Sequence, residues 1–214
     1  MEKLEDIAER IRTAFDAQTI ARDRALARAR TLTRHCSQAI RAIHRADREL
    51  ARTELEAARL IVSETNTALR DYPDLYYAGY TQDAFKEYAE AAIVVALLTD
   101  QQLPEPEDLG IEFNTYLRGL AETSGELRRR CLDILRDGYS EDAEKLLEYM
   151  DDIYAVLVTM DYPDAITGGL RRLTDITRSI NERTRGDLTL NQRQSHLERA
   201  LRELQIRLDE LDRD

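Results

Sequence analysis

The sequence predicts an all-α protein of seven helices in a single domain spanning residues 1–214. Three observations carry that expectation. Apolar residues recur at intervals of three and four along most of the chain, the period of one buried helix face. Glycines and prolines are few, eight and four, and they cluster where that period breaks. No stretch has the strict alternation of a half-buried strand. A chain of this length buries roughly 70% of its unfolded surface on folding, so its core needs neither disulfides nor a structural metal.

The elements follow in order. Leu26, Ala29, Thr33, Cys36, Ile40 and Ile43 mark one face of a long first helix, and Leu4, Ile7 and Ile11 extend it towards the N-terminus. A second helix starts near Asp47 and carries Leu50, Leu55, Ala58, Val62 and Leu69. It ends before Pro73, because the residue preceding a proline is pushed out of helical dihedrals. The third spans Asp83–Leu98 and ends at the loop of Pro104 and Pro106. The fourth spans Glu112–Arg136 and stops at Asp137-Gly138. Ser140 is an N-cap followed by acids, which favours a fifth helix with Leu146, Met150, Ile153 and Leu157 on its inner face. Pro163 breaks it. A sixth helix is expected over Ala165–Arg183, ending at Gly186. A seventh begins near Thr189, with Leu190, Leu197, Leu201, Leu204, Leu208 and Leu211 on a heptad seam.

Composition narrows the function classes. The chain has 42 acidic and 31 basic residues, a formal charge of −11. All the basic residues but Lys3, Lys86 and Lys145 are arginines. That balance fits a salt-loving host and fits an arginine-rich codon bias equally well. It argues against indiscriminate duplex binding, which needs a basic face, but leaves room for a local arginine-lined site. Two cysteines fit a reducing compartment, and both lie on apolar stripes, which marks them as core. The longest apolar run, Ala91–Leu98, is far below the ~20 residues of a membrane span. The N-terminus is acidic, unlike a signal peptide. A soluble cytoplasmic protein with no membrane partner is expected.

Several chemistries lack their residues. His35, His44 and His196 have no partners at zinc spacing, no phosphate-binding glycine loop is present, and Gly168-Gly169 reads as a turn between helices. There is no Glu-x-x-His pair of the kind a di-iron bundle uses. The third helix stands apart. Glu87 and Glu90 share a face, with Asp83 one turn earlier, and the following turns become apolar all round. Carboxylates entering a core are costly unless a cation or donor pairs them. In the fifth helix Glu148, Asp151 and Asp152 lead into a similar apolar run. Two readings stand side by side: acids from both helices holding Mg²⁺ or Mn²⁺, or helix-end acids paired with the plentiful arginines.

Several segments resemble one family. Residues 29–45, Ala-Arg-Thr-Leu-Thr-Arg-His-Cys-Ser-Gln-Ala-Ile-Arg-Ala-Ile-His-Arg, are similar to the first-helix signature of the translin family. Lys86-Glu-Tyr-Ala-Glu-Ala91 resembles the Glu-Tyr-Val-Glu-Ala segment of translin-associated factor X. Asp108-Leu-Gly-Ile through Glu122-Thr-Ser-Gly-Glu-Leu-Arg-Arg-Arg-Cys131 resembles the fourth helix, with its Asp/Glu-x-x-Gly-Glu-Leu core. Leu146–Leu157 matches the stretch whose family aspartate falls on Asp152. Gly168-Gly-Leu-Arg-Arg and Glu182-Arg-Thr-Arg-Gly-Asp look like the C-terminal segments of prokaryotic members. The likeness covers residues 20–205 or so, spread over these motifs.

The resemblance implies a protomer of a hollow, usually eight-subunit shell that binds single-stranded RNA or DNA. Because the chain has the paired glutamates, it sides with the X-type branch, a metal-dependent endoribonuclease. Carried over, Glu87, Glu90 and Asp152 are ligands of Mg²⁺ or Mn²⁺, with Glu126 a fourth catalytic acid that the non-catalytic branch also has. Phosphate contacts fall to Arg30, Arg34, Arg41 and Arg45 on the first helix and to Arg128, Arg129 and Arg130, each of which could equally pair with an acid. Two other classes compete: a non-catalytic shell binding single-stranded RNA or DNA, and a structural assembly with no nucleic acid.

Overall fold

Forty-three residues without an internal proline or glycine make the first element. In the computed structural model, which describes residues 1–211 apart from the side chain of residue 210, α1 runs Glu2–His44. Its stripe of Leu32, Cys36, Ala39, Ile40 and Ile43 is buried, whereas Leu4, Ile11 and Phe15 near its start are exposed. The helix ends in a tight turn. The Ala46 amide donates to the Ile43 carbonyl at 2.9 Å and that of Asp47 to Ala42 at 3.0 Å. Ala46 takes a left-handed φ of 62° to do so. Asp47 then caps α2 (Arg48–Ala68), its carboxylate accepting from the Leu50 amide at 3.1 Å.

Proline sets the next elements. Pro73 occupies the first turn of α3 (Pro73–Tyr76), where its missing N–H costs nothing. Helix α4 (Gly79–Leu98) is anchored to that turn by two side chains: the Thr81 hydroxyl donates to the Leu75 carbonyl at 2.8 Å, and the Gln82 amide to that of Tyr76 at 2.8 Å. Pro106 opens α5 (Pro106–Leu109), which ends at Gly110 with φ 66°. Helix α6 follows (Phe113–Leu135), then α7 (Glu141–Val158), capped by Ser140. Helix α8 (Asp164–Thr167) precedes α9 (Leu170–Leu211).

The contacts divide the chain into two units, Met1–Leu120 and Ala121–Asp214, and the division falls within α6. In the first, α1, α2 and α4 bury one another. Ile43 packs with Ala51 and Val94, Cys36 with Val62 and Phe85, and Ala25 with Leu69. Those pairings make α1 antiparallel to α2 and parallel to α4. The second unit buries Leu127 and Cys131 of α6, Met150 and Leu157 of α7, and Leu170 and Leu188 of α9. Among these apolar residues runs a polar seam. Thr177 donates to the Ala121 carbonyl at 3.2 Å, Asn181 to that of Met150 at 2.7 Å, and Arg128 to the Thr184 hydroxyl at 3.0 Å.

The all-α expectation holds for the described residues, but the count of seven does not. There are nine helices among them, six long and three of four residues. The expected sixth and seventh helices are one, because α9 passes through Gly186 without a break. A glycine inside a helix costs only about 1 kcal/mol, which buried Thr184 and Leu188 on either side outweigh. The stop lies earlier, at Gly168 and Gly169, whose φ values are 60° and 86°. Helices α3 and α5 lie in segments read as loops, being too brief to show a period, and α8 occupies the start of the expected sixth helix, cut off from the rest by the two glycines. No helix among the described residues is long and apolar enough to cross a membrane.

Candidate metal centre

Helix α4 turns from polar to apolar within two turns, and its carboxylates stand at that transition. Ala91–Ala96 is buried on every side, so Glu90 enters the packed region at 9% exposure, while the Glu87 side chain keeps 32%. Helix α6 lies alongside in the same direction. The Thr115 hydroxyl donates to Gln82 Oε1 at 2.6 Å, and one turn on the Arg118 guanidinium meets Asp83 at 2.7 Å. Then comes Gly119. A Cβ there would fall 2.7 Å from the Ala89 Cβ, 2.8 Å from the Lys86 carbonyl oxygen and 3.0 Å from the Glu90 amide. Only glycine allows so close an approach of two helix backbones.

One turn beyond Gly119, on the same unbroken helix, Glu122 comes beside the pair. One carboxylate oxygen from each of Glu87, Glu90 and Glu122 can be chosen so that all three lie within 4.8 Å of one another. Oxygens sharing an octahedral Mg²⁺ at 2.0–2.1 Å stand about 3–4 Å apart, so small side-chain rotations would gather these three on one ion. An all-carboxylate donor set, partly withdrawn from water, suits a hard divalent cation rather than a soft metal.

Two further groups fix the electrostatics. Lys86 Nζ lies 3.2 Å from Glu87 Oε1, and its side chain is only 12% exposed. Cys36 of α1 sits behind the pair: burial, with the charges of Glu87 and Glu90 added, pushes its thiol far above the ordinary range. That thiol stays protonated and packs as core, as the apolar stripe implied.

The structure brings together part of the expected site. Glu87 and Glu90 converge; the third member of the group is Glu122, which the sequence reading did not single out. Its signal was available, since it heads the Asp/Glu-x-x-Gly-Glu-Leu segment and follows Gly119 by three residues. Glu126, on the same face one turn on, is 3.6 Å from Arg129. Asp152 is exposed on α7 and is not a member of the carboxylate group found among the described residues. Its neighbour Asp151 accepts from Asn181 at 3.2 Å and pairs with Arg185, the arrangement that the arginine-pairing reading foresaw.

The arginines separate into two sets. Arg30, Arg34, Arg41 and Arg45 are exposed and, among the described residues, make no ion pair. At about 100° per residue they fall within roughly 60° of arc, on the side of α1 opposite its buried stripe. They therefore face away from α4 rather than towards its carboxylates. Arg128 is engaged with Asp187 at 2.8 Å, and Arg129 with Glu126; Arg130 is half-buried.

No family model matches the chain. The uncharacterized protein MJ0175 of Methanocaldococcus jannaschii is 30% identical over 191 residues, covering 88% of this chain and 84% of that protein. Two solved structures, AfC3PO and an AfC3PO–duplex RNA complex, are each 31% identical with a TM-score of 0.79; they cover 86% of this chain and 96% and 95% of theirs. The chain belongs to the translin/TRAX (C3PO) family. Apo-NeC3PO, at 20% identity and a TM-score of 0.78 over 86% of this chain and 96% of its own, shares the fold. The C3PO-like motifs of α4 and α6, far apart in sequence, are the two that meet at Gly119.

Proposed function

We propose that this protein is a divalent-metal-dependent endoribonuclease that binds and cleaves RNA, acting on single strands inside a closed homo-oligomeric shell of eight subunits. The observation that carries the reading is the convergence of Glu87, Glu90 and Glu122 at the edge of a buried helix. A bound Mg²⁺ or Mn²⁺ supplies Lewis acidity for phosphodiester hydrolysis. Glu90, held by packing on both sides, fixes the position of the ion. Glu87, more exposed, faces the solvent from which substrate arrives. Lys86 offsets part of the negative charge that would otherwise repel a phosphate. The exposed arginine stripe of α1 holds phosphates of the strand at a distance from the cut. The resemblance adds Asp152 and Glu126 to the acids that act on the substrate.

The test is cleavage of end-labelled RNA, single-stranded and duplex, with Mg²⁺, with Mn²⁺ and with chelator; both forms are needed because AfC3PO is described with duplex RNA. Metal-dependent internal cuts, faster on the single strand, are expected. Cleavage indifferent to chelator overturns the metal reading, and tight binding without cleavage at any metal supports the non-catalytic shell. Asp152→Asn decides its own case: lost cleavage with intact RNA binding assigns it to the site, and wild-type cleavage removes it.

A further inference from the structure

Lysine is scarce in this chain, and one of its three lysines is built into the carboxylate group. Lys86 precedes Glu87 directly and stands one turn before Glu90, so its side chain leaves α4 on the Glu90 side. Its backbone lies where the helices come closest, the Lys86 carbonyl oxygen being 2.8 Å from where a Gly119 Cβ would fall. The side chain is 12% exposed, and its ammonium reaches Glu87 Oε1 at 3.2 Å. Lysine is rarely covered to this degree unless it is paired. The ion pairs on the outer face of α2 differ: in Arg52–Glu49 the two side chains are 76% and 83% exposed. Arg118, one residue before Gly119, is held by Asp83 at 2.7 Å.

We propose that Lys86 is a resident counter-cation of this group, competing with the divalent ion for Glu87 and so setting how tightly the ion is held. The proposal rests on Glu87, Glu90 and Glu122 being a metal centre. Three carboxylates converging at the edge of a core repel one another, and the ammonium offsets one of their charges. In the empty centre Lys86 therefore does part of what the ion does in the loaded one. Once an ion binds, two cations share one small region, partly withdrawn from water. Like charges a few ångströms apart repel there more strongly than in bulk solvent. Lysine suits this role better than arginine. Its ammonium is a point charge on a flexible stem and can swing aside, whereas a guanidinium grips a carboxylate through two parallel bonds. Lys86 is thus a positioning residue, acting on the ion through Glu87, and it keeps the ion exchangeable.

The test is titration of the full-length protein with Mn²⁺, the free ion being read by electron paramagnetic resonance with no RNA present. Lys86→Met keeps most of the stem and removes the charge; Lys86→Gln is a second neutral replacement, since either could pack poorly by itself. At least one of them should bind Mn²⁺ about tenfold more tightly than wild type. Lys86→Arg, which retains the charge, should bind no more tightly than wild type. Adding Glu90→Gln to the tighter variant should loosen it again. Equal or weaker binding by both neutral variants, or equal tightening by Lys86→Arg, overturns the proposal and leaves the metal centre standing. Tightening that survives Glu90→Gln also overturns it, because the ion then sits elsewhere. No saturable binding by wild type or by either neutral variant overturns the metal centre itself, and the proposal with it.

Discussion

Glu90 is a carboxylate whose surroundings leave it little choice. Three residues from Glu87 on one face, and followed by six buried residues, it sets its carboxylate beside those of Glu87 and Glu122. Replacing it by glutamine preserves its shape and removes one of the converging charges. Glu90→Gln should lower metal-dependent cleavage by at least about 100-fold and leave RNA binding unchanged. Near-normal cleavage by this variant would sink the assignment. Behind the pair, Cys36 should resist iodoacetamide in the folded protein and react only under denaturant, because burial, with the charges of Glu87 and Glu90 added, keeps its thiol inaccessible and protonated. Rapid native-state alkylation contradicts that placement. At this scale the sequence was half legible. Glu87 and Glu90 announce themselves because their spacing is local. Glu122 is invisible to local period, since what recruits it is the approach of α6 at Gly119.

Elements, rather than residues, set the width of the centre. The approach of α4 and α6 depends on a missing side chain: at Gly119 a methyl group would press on the Lys86 carbonyl and the Glu90 amide, neither of which can rotate away. Gly119→Ala should therefore destabilise the protein by about 1–3 kcal/mol, seen as a lower urea midpoint, and weaken metal-dependent cleavage even where the protein remains folded. Unchanged stability and activity would mean that the helices separate at no cost. Legibility here followed the physics of helix ends. The stops at Pro73 and Pro163 and the caps at Asp47 and Ser140 stand out because each acts on its immediate neighbours. The four-residue helices α3 and α5 escaped because one turn shows no periodicity, and α8 was merged with the helix that follows it. The break expected at Gly186 failed because tertiary packing outweighs helix propensity.

For the whole molecule, alkaline pH is the informative variable. Burial raises the Tyr88 phenol from 10.0 to about 12. Burial likewise raises the Cys131 thiol from 9.0 to about 11, and the phenols of Tyr76 and Tyr116 move up as well. A group raised in the folded state binds its proton more tightly there than in the unfolded chain. Its contribution is complete below the unfolded pKa and is lost as pH rises through the folded one. Stability should thus be flat up to pH 8 or so and fall steadily between about pH 9 and 12, read as urea midpoints across that range. A midpoint constant to pH 12 contradicts the burial of these groups. At this scale the all-α class and the family were legible, since both are written in many dispersed positions. Which helix faces stay uncovered was not, because the heptad of α9 reads the same whether it packs inside one chain or between two.

The turn at Ala46 has a consequence in time. It joins two helices whose mutual contacts are close in sequence, the arrangement that lets a hairpin of helices assemble early and fast. Yet its central residue is an alanine at φ 62°, a conformation in which Cβ crowds the following carbonyl. If the hairpin is in place when the folding barrier is crossed, relieving that crowding quickens the climb and hardly touches the descent. Ala46→Gly is expected to speed refolding by up to about fivefold, for a gain near 1 kcal/mol, with the unfolding rate unaltered. Stopped-flow refolding limbs that overlay, with the change appearing on the unfolding limb, would place the closure of this turn after the barrier.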